Sequence, residues 1–230
     1  MFIFFDLDDT LVDSEGAHRK AITSLYDEYF IFRKPEDNIG QIWVDIMNKY
    51  LSLYFKGQMS LEQQRVARIQ EFWNYCGQNL DFISAQKIYQ KYHEYFLSSC
   101  LKFDDIIPNL ERLSNFDLGI ISNGTYYDQI FKLKNNNLDY YFKNEIYISD
   151  KVGYSKPDKR IFEKAAKQAN RPIEECVYIG NSYKLDYLGS LNAGMKAIWL
   201  DRPNSAKNDL SDNIINSLEQ LPNHMILTNS

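Results

Sequence analysis

The sequence predicts an α/β protein: a doubly wound, mainly parallel sheet interrupted by an inserted all-helical unit. Three observations carry this. The chain opens on an apolar run, Phe2–Phe5, that stops at an aspartate. Between about residues 14 and 97 glycine is scarce and apolar residues recur at spacings of three and four. After about residue 102, short apolar runs alternate with helical patterns, which implies βαβ units and a parallel sheet.

Each element follows in order. Phe2–Phe5 is short and wholly apolar, as expected of a strand covered on both faces. In the insert, Ala17, Ala21, Ile22, Leu25 and Tyr29 share one helical face. Ile42, Ile46, Met47 and Tyr50 share a second. Val66, Ile69, Phe72 and Trp73 make a third, and Ile88, Tyr92, Tyr95 and Phe96 a fourth. Pro35, Gly57 and Gly77 punctuate these helices. Beyond the insert, strands are expected over 118–121, 146–148, 177–179 and 197–200. Helices are expected over 108–115, 126–135, 157–170, 185–193 and 213–221, with a polar surface loop over 204–212. Residues 1–13 and 98–230 then form the core domain, and residues 14–97 the helical insert.

A chain of 230 residues with 44% apolar content, 17 Tyr and 14 Phe can bury a substantial core. Its net charge of −5 argues against a broad nucleic-acid-binding surface, which is normally basic. Cys76, Cys100 and Cys176 are odd in number and far apart, so neither a zinc site nor a disulfide framework is expected. The first residues lack a basic region ahead of the apolar run, and no stretch approaches the roughly 18 apolar residues of a membrane span. The expectation is a soluble cytoplasmic protein with no nucleic-acid or membrane partner.

Open parallel sheets bind ligands beyond the carboxyl ends of their strands. The residues that follow each predicted strand are therefore informative. Asp6, Leu7 and Asp8 follow the first. Ser122, Asn123 and Gly124 follow the second. Ser149 and Asp150, then Lys156, follow the third. Gly180, Asn181 and Ser182, then Asp186, follow the fourth. Clustered carboxylates repel one another and are costly to desolvate, so a cation belongs among them. Hard oxygen ligands suit Mg²⁺ shared with a phosphate. A hydroxyl, backbone N–H groups and a lysine suit phosphate oxygens. A calcium-binding EF-hand loop starting at Asp6 fails, because Leu11 and Ala17 stand where glycine and glutamate are required.

The stretches DLDDTLVDS, ISNG, SKPD and GNSYKLDYLGSLNAGM occur in this order, each after a predicted strand. They resemble the four motifs of the haloacid dehalogenase (HAD) superfamily. The insert after the first motif is similar to the helical cap of that superfamily's cap-bearing members, and the resemblance implies a Rossmann-like core. It implies that Asp6 is the nucleophile that forms an aspartyl-phosphate. Asp8 is implied as the general acid for the leaving group, then the base for water. Ser122 and the Asn123 N–H would bind phosphate, and Lys156 would neutralise nucleophile and phosphate. Asp6, the Asp8 carbonyl and Asp186 would hold Mg²⁺.

The fourth motif usually begins Gly-Asp; here Asn181 replaces the aspartate, which makes it a weaker metal ligand. The implied activity is a Mg²⁺-dependent phosphatase for a small phosphorylated metabolite, in a monomer or homodimer. Nucleoside monophosphates, sugar phosphates and phosphoglycolate are candidates, and DLDDT leans towards nucleotidase-like members. The cap would exclude water and select the leaving group. A phosphomutase, or a weakly active or non-catalytic phosphate-binding protein suggested by Asn181, are the alternatives. A carbon–halogen dehalogenase is disfavoured, because members of that type lack an acid at the position of Asp8. Asp150 is expected to assist Lys156, and Arg19 and Lys20 are positioned in sequence to sense an anionic substrate.

Overall fold

The computed structural model describes residues 1–30, 38–203 and 213–224. Pro35 and the expected loop over 204–212 lie outside them. The chain divides into two compact units, Met1–Asp13 with Leu101–Ser230, and Ser14–Cys100.

Among the described residues, the first unit is built on six strands: β1 (Phe2–Phe5), β2 (Asp117–Ser122), β3 (Ile146–Ile148), β4 (Cys176–Gly180), β5 (Lys196–Leu200) and β6 (Ile214–Ile215). They pair in the order β3-β2-β1-β4-β5-β6, and every pairing is parallel. From β1 the chain builds outward through β2 and β3 on one side. It then crosses back to place β4, β5 and β6 on the other. This reversal puts the crevice of the sheet beside β1.

Alternate side chains of β1 serve opposite faces. Ile3 and Phe5 pack in one apolar layer with Ile120, Leu133, Val177 and Ile179. Phe2 and Phe4 pack in the other with Ile121, Phe162, Ala165 and Tyr178. With both faces covered, β1 carries no polar residue until Asp6.

In chain order the helices of this unit are α5 (Ile106–Arg112), α6 (Tyr126–Asn135), α7 (Asp139–Phe142), α8 (Ser149–Val152), α9 (Lys159–Gln168) and α10 (Leu188–Ala193). The helix expected over 157–170 starts after its N-cap, Asp158. That expected over 185–193 opens instead with a π-helical turn, Tyr183–Tyr187. The helix expected over 213–221 does not form. Ile214 and Ile215 add an edge strand to Trp199 and Leu200, and a 3₁₀ turn, Leu218–Asn223, follows under a Ser217 cap. The open edge of β5 supplies Ile214 and Ile215 with backbone partners that a local sequence pattern does not contain.

Among the described residues, the second unit is four helices: α1 (Ser14–Tyr29), α2 (Ile39–Phe55), α3 (Leu61–Tyr75) and α4 (Phe82–Ser99). Its interior holds Leu25, Trp43, Ile69, Phe72, Trp73 and Tyr92. Ser60 starts α3 with a reciprocal capping box to Gln63. Helix α4 runs to Ser99, so the chain leaves this unit three residues later than the sequence pattern suggests. Among the described residues no helix is long and apolar enough to cross a membrane.

Candidate active site

Asp6 continues β1 and donates its N–H to the Ile179 carbonyl of β4 at 2.9 Å. This fixes its carboxylate at the carboxyl edge of the sheet. Lys156 Nζ lies 2.7 Å from Asp6 Oδ1 and 2.7 Å from Asp186 Oδ1. The ammonium also donates to the Tyr178 hydroxyl at 2.8 Å, which in turn donates to the Ile121 carbonyl at 2.7 Å. All four residues are buried. Two carboxylates therefore share one lysine, and the cluster carries an uncompensated negative charge. Burial, with Asp186 reinforcing it and Lys156 opposing it, pushes the Asp6 carboxyl up to about 7. Burial works against the Lys156 ammonium, yet Asp186 and Asp6 hold its pKa above the ordinary lysine value.

Asp8 sits two residues on, in a turn where the N–H groups of Leu11 and Val12 return to the Leu7 carbonyl. Its carboxylate meets helix α6. Lys132 Nζ lies 2.6 Å from Oδ1 and Gln129 Nε2 lies 2.8 Å from Oδ2. The same Gln129 nitrogen reaches the Asn123 carbonyl at 2.7 Å and Ser122 Oγ at 3.2 Å. Gly124 makes room for it. A Cβ there would lie 2.8 Å from Gln129 Nε2, and φ at Gly124 is +136°.

Ser122 ends β2, and Asn123 turns its side chain onto the Lys156 loop. Its Oδ1 accepts from the Lys156 N–H at 2.8 Å and its Nδ2 donates to the Lys156 carbonyl at 3.1 Å. Ser149 Oγ accepts the Gly124 N–H at 3.0 Å. Asp150 does not reach Lys156; it accepts the Tyr126 N–H at 3.1 Å and so closes the start of α6.

At the end of β4, Gly180 lies against Asp186, whose Oδ2 accepts the Ser182 N–H at 2.8 Å. The Asn181 N–H donates to Thr10 Oγ1 at 3.0 Å, and the Thr10 hydroxyl is 3.4 Å from Asn181 Oδ1. Among the described residues, no three His, Cys, Asp or Glu side chains form a ready-made metal cluster. The residues that could hold a cation offer two carboxylates, Asp6 and Asp186, the Asn181 amide oxygen and backbone carbonyls. Hard oxygens only, few carboxylates and a net negative charge fit Mg²⁺, which keeps several of its own waters.

The strand-end residues thus form one linked network. Lys156 joins Asp6 to Asp186, Asn123 joins Lys156 to the turn after β2, and Gln129 joins that turn to Asp8. Nothing in the sequence pattern marks Gln129, Lys132 or Tyr178. Arg19 donates within the helical unit, to Glu15 at 2.6 Å and Gln41 at 2.9 Å.

Comparison with known proteins matches residues 3–200 to the family of haloacid dehalogenase-like hydrolases. The chain is 28% identical over 232 residues to a glyceraldehyde 3-phosphate phosphatase of Methanothermobacter thermautotrophicus, covering 95% of this chain and 96% of that protein. It is 29% identical over 211 residues to the pyrimidine 5′-nucleotidase PynA of Streptococcus pneumoniae, covering 86% of this chain and 82% of that one. Its fold is similar to that of the putative HAD-hydrolase YfnB of Bacillus subtilis bound to magnesium. The TM-score is 0.82 over 98% of this chain and 97% of that one, at 23% identity.

Proposed function

Because the chain belongs to the haloacid dehalogenase-like hydrolase family, we propose that it is a Mg²⁺-dependent phosphatase of small phosphate monoesters. The observation that carries this reading is the buried Asp6 carboxylate at the sheet edge, sharing Lys156 with Asp186. A carboxylate attacks a dianionic phosphate only where cations offset the repulsion.

In this reading Asp6 attacks phosphorus and the bond to the leaving oxygen breaks, while Asp8 gives that oxygen a proton. The product is an aspartyl-phosphate on Asp6. Asp8, now a base, takes a proton from water as the water attacks phosphorus, which releases inorganic phosphate and restores Asp6. Ser122 Oγ and the Asn123 N–H hold the equatorial oxygens, and Lys156 neutralises charge as it moves from Asp6 to the phosphoryl group. Asp6, Asp186 and the Asp8 carbonyl, with the Asn181 amide oxygen as the weaker ligand, would hold Mg²⁺, which supplies further charge neutralisation when bound. Asp8 keeps the chemistry on phosphate rather than on a carbon–halogen bond.

The substrate class is a freely diffusing sugar phosphate or nucleoside monophosphate in the cytoplasm. Two relatives, named for glyceraldehyde 3-phosphate and pyrimidine nucleotides, support it. We assign the helical unit the role of a cap that selects the leaving group.

The test is phosphate release from p-nitrophenyl phosphate and a panel of sugar phosphates and nucleoside monophosphates, with Mg²⁺, with EDTA, and with Asp6→Asn. Turnover that needs Mg²⁺ and vanishes in Asp6→Asn is expected. Folded protein that releases no phosphate at high Mg²⁺ would overturn the reading in favour of a phosphate-binding protein.

A further inference from the structure

We propose that Gln129 and Lys132 are positioning residues that hold Asp8 for proton transfer; this rests on the reading of Asp8 as the acid for the leaving group. The two residues lie three apart on α6 and so share a face. Each takes a different oxygen of the same carboxylate, Lys132 at Oδ1 (2.6 Å) and Gln129 at Oδ2 (2.8 Å). The Asp8 side chain is 29% exposed, while that of Lys132 is only 4% exposed. A lysine gives up its water at considerable cost, and here it does so beside Asp8. Asp8 is a partly exposed aspartate on a turn, and each donor restrains its carboxylate. With one on each oxygen, both the position and the plane of the carboxylate are set by a helix. Each carboxylate oxygen has two lone pairs, so Asp8 can still exchange a proton with a leaving group while both donors stay in place.

Gln129 adds a second link. Its Nε2 also reaches the Asn123 carbonyl and Ser122 Oγ, so one amide fixes Asp8 relative to the turn assigned to phosphate binding. Its Oε1 is buried and has no hydrogen-bond partner among the described residues. An orphaned buried acceptor is costly, so the donor side of the amide is what holds Gln129 where it is.

The test compares kcat/KM on p-nitrophenyl phosphate with kcat/KM on the best alkyl phosphate of the panel. The first leaving group needs little protonation; the second needs the acid. Lys132→Met and Gln129→Met keep the side-chain volume and remove one donor each. Each is expected to lower kcat/KM on the alkyl phosphate by about 10- to 100-fold, the range for a misplaced catalytic group. With Lys132→Met the aryl phosphate should lose less than about threefold, since its departure draws little on acid catalysis; Gln129→Met also frees the Ser122–Asn123 turn and should cost both substrates, the alkyl phosphate clearly more. Lys132→Arg should restore most of the alkyl activity. Equal losses on both substrates, or no loss on either, would overturn the proposal. Should Lys132→Met fail to fold, Gln129→Met decides alone. Asp8→Asn measured alongside separates the two readings. If Asp8→Asn shows no preference between leaving groups, the assignment of Asp8 as acid fails. If it shows one that the α6 variants lack, positioning alone fails.

Discussion

The side chain of Asn123 brackets the backbone of Lys156, accepting its N–H at 2.8 Å and donating to its carbonyl at 3.1 Å. The turn after β2 and the loop carrying the lysine are thereby set against each other. An amide is the one side chain of this size that can do both. Asn123→Asp keeps the acceptor and loses the donor; Asn123→Ala loses both. We expect kcat/KM for phosphate release to fall in the order wild type, Asp, Ala, with a loss of about 10- to 100-fold for Ala. Equal activity of the Ala variant and wild type would show that the lysine loop is held by other means.

Lys156 is the shared partner of two buried carboxylates, so its removal is a stability experiment as well as a catalytic one. Breaking a buried ion pair from one side costs about 3–5 kcal/mol, because the remaining charge stays buried. Lys156→Met should lower the urea midpoint accordingly, measured in EDTA so that no cation substitutes for the ammonium. Lys156→Met with Asp186→Asn should recover part of the loss. If the double variant is no more stable than Lys156→Met, the cost does not come from stranded charge.

These two residues show what a sequence can and cannot reveal here. Asp6 and Ser122 stand directly after an apolar run and Asn181 one glycine beyond another, and a parallel sheet turns that position into a shared edge. Lys156 and Asp186 were legible from their motifs. Gln129 and Lys132 were not, because a glutamine and a lysine three apart on an amphipathic helix look like a solvated face. Tyr178 reads as core, and only its contacts with Lys156 and the Ile121 carbonyl give its hydroxyl a role. Ile214 and Ile215 precede Leu218 and Leu221 at helical spacing, and two residues are too few to display a strand's alternation. Their state is decided by the open edge of β5, which no local pattern contains.

Metal affinity is the next consequence. In the proposed ligand set Asn181 would contribute an amide oxygen where a carboxylate would add charge, and ligand charge tunes divalent affinity. The Thr10 hydroxyl, 3.4 Å from Asn181 Oδ1, can donate equally to a carboxylate. Asn181→Asp should therefore be accommodated and should lower the Mg²⁺ concentration for half-maximal activity by about tenfold. An unchanged or higher requirement in a Mg²⁺ titration would remove Asn181 from the ligand set.

Acid stability should depend on Asp105. Arg202 grips its carboxylate with two nitrogens, each at 3.1 Å, while Ser217 Oγ and the Leu218 N–H donate at 3.0 and 2.9 Å. Burial opposes the charged form, but the Arg202, Leu218 and Ser217 hydrogen bonds outweigh it and hold the carboxyl below its usual value. A group whose pKa is lower folded than unfolded stabilises the fold above its unfolded pKa, about 3.9 for aspartate. That contribution fades as pH falls through the folded pKa. Asp105→Asn should cost about 2 kcal/mol at pH 7, and its gap from wild type should narrow below about pH 4. Melting curves from pH 7 to pH 3 with a constant gap would contradict this.

Gly180 tests how tightly Asp186, the carboxylate proposed to hold the metal, is seated. A Cβ at this position would stand 2.5 Å from Asp186 Cγ and 2.6 Å from Oδ2, closer than any two such atoms approach. The added methyl meets the carboxylate itself rather than the end of a long flexible chain. Relief therefore means moving Asp186 away from Lys156 Nζ, at 2.7 Å, and from the Ser182 N–H, at 2.8 Å. Gly180→Ala should raise the Mg²⁺ requirement and lower kcat together, by about tenfold or more, as misplacing a catalytic group does. Overpacking of this kind costs about 1–3 kcal/mol, so the variant should still fold, and circular dichroism would establish that before kinetics. Gly57 supplies the contrast, since a Cβ there meets no atom within 4 Å, although its φ of +70° adds strain. Gly57→Ala should lower stability slightly and leave the Mg²⁺ requirement alone. If Gly180→Ala also leaves that requirement unchanged, Asp186 is not a metal ligand, and its partnership with Lys156 is purely structural.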